Sequence, residues 1–189
     1  MEVARGLKHL GDLVFLDSSS ALGPGMGEAL SIVTARPAEI LRGNIDVPSD
    51  LARLRRALGS QEESIDVPIP GPGLFGFVEF DGSFTFGRFP EVMVFDHSED
   101  TWWEVGDLSG ELAQEEDTGG IAIPLDFDRE AGREVFCDGV ARAKGYIASG
   151  DIYQVNIARR CSADWDTDDD PLDFYARLRE VSPVPHAAY

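Results

Sequence analysis

A chain of 189 residues, 43% hydrophobic and 27% charged, has the balance of a folded globular protein and the length for one large domain or one and a fraction. Thirty-five acidic against sixteen basic side chains leave a formal net charge of −19, a field that repels phosphate backbones and anionic lipid and so argues against nucleic acid and membrane surfaces as partners. No stretch approaches the ~18 uninterrupted apolar residues of a membrane helix, Met1-Glu2-Val3-Ala4-Arg5 does not read as a secretory leader, and the expectation is a cytoplasmic protein whose Cys137 and Cys161 are ordinary reduced thiols.

Leu13-Val14-Phe15-Leu16 is a short apolar run ending in Asp17-Ser18, which predicts a buried strand entering a loop. Gly23-Pro24-Gly25-Met26-Gly27 cannot hold a regular element, and Ala29 to Val33 predicts a second strand that stops at Arg36-Pro37, giving a looped strand pair. Ser49 ahead of Leu51, Leu54 and Leu58 predicts a short helix closed by Gly59, with Arg53, Arg55 and Arg56 as a basic outer face.

After the proline-rich Val67 to Gly73, two aromatic strands, Leu74 to Phe80 and Ser83 to Phe89, flank Asp81-Gly82, a strong hairpin signal. Val92 to Asp96 and Thr101 to Val105 predict two more strands about a turn. The acidic stretch from Gly110 to Gly120 reads as a linker. A helix is expected from Asp128 to about Ser149, with Val135, Phe136, Val140, Ala143 and Ile147 on one side and Gly150 at its end. Ile152 to Ala158 alternates as a strand that would bury Gln154 and Asn156 on one face. Asp170-Pro171 opens a last helix striped by Leu172, Tyr175 and Leu178.

Gly71-Pro72-Gly73-Leu74-Phe75-Gly76 matches the dinucleotide-binding pattern letter for letter, but prolines precede it and a strand follows, where a pyrophosphate site needs a preceding strand and a following helix. The acidic run Asp164 to Asp170 lacks the glycine and the bidentate glutamate of a calcium loop, because Asp169 and Tyr175 occupy those positions. His9, His97 and His186 show no metal-ligand spacing, and no serine stands in a nucleophile elbow.

Ala148-Ser149-Gly150-Asp151-Ile152-Tyr153-Gln154-Val155-Asn156-Ile157 resembles the signature that opens the chorismate-binding domain of anthranilate synthase component I and aminodeoxychorismate synthase component I. Phe15-Leu16-Asp17-Ser18, Gly73-Leu74-Phe75-Gly76-Phe77 and Val181 to Tyr189 are similar to further segments of that family, in the family's order. The resemblance implies an α+β, antiparallel-sheet-rich layered sandwich, with an N-terminal domain over 1–125 and the start of an incomplete chorismate-binding domain over 126–189. It also implies that the magnesium-holding carboxylates, the groups that handle chorismate and the lysine nucleophile of the aminodeoxychorismate branch lie further along. No catalytic or metal residue is assigned, and the chain alone is expected to be inactive. Gly150, Asp151, Tyr153, Gln154 and Asn156 are carried over as the structural signature.

Ser18 and Pro185 match positions that line a tryptophan pocket in the family. His186 stands where the family has tyrosine and Ala187 where it has methionine, so a tryptophan feedback response is not carried over. Ser18 reads equally as a turn residue bonded to local backbone. Only about 15 residues precede Leu16-Asp17-Ser18, which resembles the aminodeoxychorismate branch more than the anthranilate one. In the complete enzyme the resemblance implies ammonia from a glutamine amidotransferase subunit, chorismate as substrate and magnesium as cofactor. The nitrogen goes to C4 with the pyruvyl chain kept, toward folate, or to C2 with loss of pyruvate in anthranilate synthesis. A non-catalytic regulatory or interaction module built on the same front half is the alternative. Residues 129–189 are expected to be the less protected part, with Val155, Ile157 and Leu178 exposed.

Overall fold

The computed structural model describes residues 1–18, 30–59, 70–114, 128–129, 132–165, 169–184 and 186–189. Glu2–Leu7 forms a short helix (α1) that buries Ala4 and Leu7. Val14–Asp17 (β1) alternates half-buried and buried side chains, the period of a strand with two different faces. Leu30–Thr34 (β2) pairs with it antiparallel, Phe15 opposite Val33 and Leu16 opposite Ile32. The glycine-rich connection expected between them lies outside the described residues, as does the proline-rich stretch up to Ile69.

Glu39–Asn44 (β3) precedes the expected helix, Pro48–Gly59 (α2). Gly73–Val78 (β4) and Ser83–Phe89 (β5) form the predicted hairpin, with Phe75 opposite Gly87 and Phe77 opposite Thr85. Its turn needs Gly82, which sits at φ +83°. The third glycine of the rejected dinucleotide pattern has another use here. A Cβ on Gly76 would lie 2.0 Å from the Thr85 carbonyl oxygen, so only glycine lets β4 lie this close to β5. Val92–Asp96 (β6) and Thr101–Val105 (β7) form the next antiparallel pair.

Two short strands, Asp128–Arg129 (β8) and Cys161–Ser162 (β9), pair with each other around the long helix Arg133–Ser149 (α3). Pro171–Val181 (α4) has Asp170 as its N-cap, the carboxylate accepting from the Leu172 amide at 3.0 Å. Ala187–Ala188 (β10) ends the chain as a strand beside β1. The fold is α+β, with a five-stranded antiparallel sheet ordered β10-β1-β2-β6-β7 and a three-stranded sheet ordered β3-β5-β4.

Two compact units result, Met1–Gly120 with Asp170–Tyr189, and Ile121–Asp169. Residues 170–189 thus group with the first unit and not with residues 121–169. Leu172 and Tyr175 of α4 join Ala4, Leu7, Phe15, Val33, Met93 and Leu108 in its core, and burying such side chains is worth about 1.5 to 3 kcal/mol each. Ion pairs add to the seam, Arg5 with Asp173 at 2.6 Å and Lys8 with Asp170. Within 129–189, the expected less protected part, α4 thus buries Leu172 and Tyr175 and leaves Leu178 exposed on its outer side.

In the second unit α3 begins at Arg133 with Gly132 as N-cap, and the expected start, Asp128, lies in β8 instead. Gly150 stops the helix as predicted, at φ +80°, with its amide and that of Asp151 turned back to the last carbonyls. The strand expected over Ile152 to Ala158 does not form. The segment pairs with no described strand, and Gln154 and Asn156 are exposed rather than buried. Period-two alternation alone cannot make a strand, since the ladder hydrogen bonds must come from a neighbour.

Candidate functional site

The end of β1 carries the one charged side chain that this strand turns inward. Asp17 is 1% exposed, and a buried carboxylate persists only when its oxygens are paired. Arg179 of α4 supplies the charge, its Nε donating to Oδ2 and its Nη2 to Oδ1 at 3.3 Å. The Tyr175 hydroxyl, one helical turn earlier, donates to Oδ2 at 3.3 Å. Burial, and then the Asp17 charge, push that phenol well above the ordinary tyrosine range, so it remains a donor throughout the neutral range.

Ser31 of β2 completes the shell, donating to Asp17 Oδ1 at 3.2 Å. Its oxygen accepts from the Ser18 amide at 3.2 Å and shares a hydrogen bond with His97 Nε2 at 2.8 Å. Phe95 packs edge-on to His97, centroids 4.8 Å apart, and links the cluster to the exposed Trp102. These are the residue types of a hydrolytic triad in a different order. The serine lies between acid and imidazole, so the acid does not orient the base, and the arrangement holds a strand end in place without activating a nucleophile.

Of the residues assigned by resemblance, Ser18 is buried at the end of β1 and Ala187 lies beside it across the ladder, since Asp17 pairs with Ala187 and Leu16 with Ala188. His186 is exposed at φ +68°. Pro185 lies outside the described residues. On the other face of β1, Val14 and Leu16 look into an open, largely apolar cleft of about 440 Å³, walled by Ile40, Phe75, Phe77 and Phe89 with Arg42 and Asp12 at its margin.

The signature residues belong to the second unit and have a local structural account. Ser149 donates to Asp151 Oδ2 at 2.5 Å, and the Asp151 amide caps the Tyr146 carbonyl at 2.9 Å, so Gly150 and Asp151 are the stop of α3. Tyr153 is 98% exposed and Gln154 and Asn156 face solvent. Among the described residues no group of three or more His, Cys, Asp or Glu side chains is placed to hold a metal ion, and the buried Asp17 is already neutralised by Arg179. These residues do not fit a magnesium site, and no step is derived through one. Sequence reading missed Ser31, His97, Tyr175 and Arg179 as partners of Asp17. The available signal was an acid at an inward strand position together with an Arg one turn after a Tyr.

Residues 47–189 match the family model described as chorismate binding enzyme, and the chain belongs to that family. It is similar to aminodeoxychorismate synthase component 1 of Streptomyces lividans, 34% identical over 110 residues that cover 52% of this chain and 23% of that protein. The same component of Bacillus subtilis is 31% identical over 121 residues, covering 53% and 25%. An anthranilate synthase component 1 of Haloarcula marismortui is 34% identical over 155 residues, covering 60% and 28%. The crystal structure of anthranilate synthase component I from Streptococcus pneumoniae matches the fold with a TM-score of 0.60 at 20% identity, over 86% of this chain and 47% of that one. The chain thus spans about a quarter of the length of the curated relatives it matches and about half of the solved one.

Proposed function

We propose that this chain supplies the front part of an aminodeoxychorismate synthase component 1, which aminates chorismate with ammonia from a glutamine amidotransferase subunit. The observation that supports it is the match of residues 47–189 to the chorismate-binding family together with the similarity to two proteins named as that component. What this chain contributes is scaffold. Asp17, held by Arg179, Tyr175 and Ser31, fixes the end of β1 against β2 and α4, and β10 is laid alongside it. Magnesium, where bound in the complete enzyme, supplies charge neutralisation for a dianionic substrate, and its ligands are not assigned to this chain.

The chain by itself has no chorismate-aminating activity on this reading, because the segments it resembles are not those that hold metal and chorismate in the family. The resemblance of Ser18 and Pro185 to the family's tryptophan-pocket positions is proposed as a ligand contact only, and the His186 and Ala187 replacements count against a specific tryptophan response. The test is genetic. A para-aminobenzoate auxotroph lacking its own component 1 should grow when this chain is co-expressed with the remaining portion of the Bacillus subtilis component. Growth restored by the remaining portion alone would refute a requirement for this chain.

The second reading, anthranilate synthesis, is favoured by the Haloarcula similarity, which covers more of this chain than either aminodeoxychorismate relative. The two differ in product, and the product decides between them.

A further inference from the structure

The basic face noted on α2 has no place in the site at the end of β1. Arg53 and Arg56 project from the last two turns of α2, and with Arg88 of β5 they wall an open groove of about 570 Å³ whose apolar lining is Leu41 and Ala57. Among the described residues one acid shares the groove, Glu39, which Arg88 approaches at 3.9 Å. Arg53 reaches across to the Arg42 carbonyl. Arg53, Arg56 and Arg88, three of the sixteen basic residues in a chain of net charge −19, therefore line this one groove.

We propose that this groove is a docking site for an extended, carboxylate-bearing segment of a partner protein. Elsewhere the surface potential of so acidic a chain repels such a segment, so the arginine groove is where it can be steered and held. Guanidinium forks match carboxylates in plane and number of donors. A compact inorganic anion is disfavoured at the same place, because the groove lies at the carboxy-terminal end of α2, where the helix dipole presents its negative pole. Carboxylates on an extended chain instead meet the guanidinium tips, away from that pole, while alternate small side chains face the half-buried Ala57.

The test is fluorescence anisotropy with a labelled peptide of alternating glutamate and alanine, titrated with the full chain at low and physiological salt. Binding that weakens with salt and falls about tenfold or more in the Arg53→Glu/Arg56→Glu double variant is the expected result. The Arg133→Glu/Arg142→Glu variant, an identical charge change at exposed positions outside the groove, should bind as wild type. Equal loss in both double variants would reduce the effect to net charge and overturn the proposal. So would competition by inorganic phosphate at the ionic strength of a chloride control that does not compete. Should the charge reversal disturb folding by circular dichroism, Arg53→Gln/Arg56→Gln carries the same comparison.

Discussion

Arg179 on α4 reaches back 162 positions in sequence to close a two-pronged ion pair on Asp17, whose side chain is 1% exposed. A pair this buried is weak evidence of net stability, but breaking it strands a charge. Arg179→Gln, which leaves the buried Asp17 carboxylate without its cation, should therefore lower the unfolding free energy of the first unit by about 2 to 4 kcal/mol, and Asp17→Asn by less, since the Arg179 it leaves behind keeps 31% exposure and water can partly replace its partner. Denaturant midpoints measure this. An unchanged midpoint for Arg179→Gln would mean that the carboxylate does not need its cation.

Gly76 is held by a steric argument alone. A Cβ there meets the Thr85 carbonyl oxygen at 2.0 Å and the Phe86 Cα at 2.7 Å, both backbone atoms of the adjacent strand that cannot swing away. Gly76→Ala should cost about 2 kcal/mol or more and loosen the β4–β5 hairpin. Amide exchange of residues 83–89 would show it, and protection equal to wild type would contradict the close approach.

Acid sensitivity follows from two carboxylates. Arg36 donates to Glu91 at 2.8 Å and the Asp107 amide at 3.0 Å, which together hold Glu91 below its ordinary value. Burial alone would raise Asp170, but the Lys8 ammonium and the Leu172 amide outweigh it and bring it down. Groups depressed in the folded state contribute stability that is present above their unfolded values, near 4.5 for Glu91 and 3.8 for Asp170, and is lost as pH falls through the lower folded values. Stability should thus be level from pH 7 to about 5 and fall below it, with a shallower acid limb in Glu91→Gln. A limb of unchanged slope in that variant would remove Glu91 from the account.

In the second unit, Gln154→Leu should leave the denaturation midpoint within about 0.5 kcal/mol of wild type, because the amide faces solvent. Gly150→Ala should cost about 1 kcal/mol by forcing a side chain into the left-handed region at φ +80°. A large loss in the first and none in the second would show that the amide, not the helix stop, organises this segment.

The contrast between those two positions shows what the sequence can carry. Gly150, Asp81-Gly82 and Asp170-Pro171 were legible because each acts within its own turn, through a positive φ, a hairpin loop or a cap. Strand β3 was missed because Arg42, Gly43 and Asn44 interrupt its apolar pattern, and α1 because six residues carry too few periods to read. Ile152 to Ala158 failed for the opposite reason, a good local pattern without a ladder partner among the described residues. At the site, Ser18 and Ala187 came from resemblance, and the β1–β10 pairing sets Ala187 opposite Asp17, the residue before Ser18. Arg179, Tyr175, Ser31 and His97 converge on Asp17 only through tertiary packing, which no local spacing encodes.

The most direct measurement is the product itself. This chain, co-purified with the remaining portion of the Bacillus subtilis component 1 and a glutamine amidotransferase subunit, is supplied with chorismate, glutamine and magnesium, and the products are separated by mass and ultraviolet spectrum. The account predicts aminodeoxychorismate, with the pyruvyl carbons retained, formed only when this chain is present. Anthranilate and free pyruvate, or product formed equally well without this chain, would contradict it.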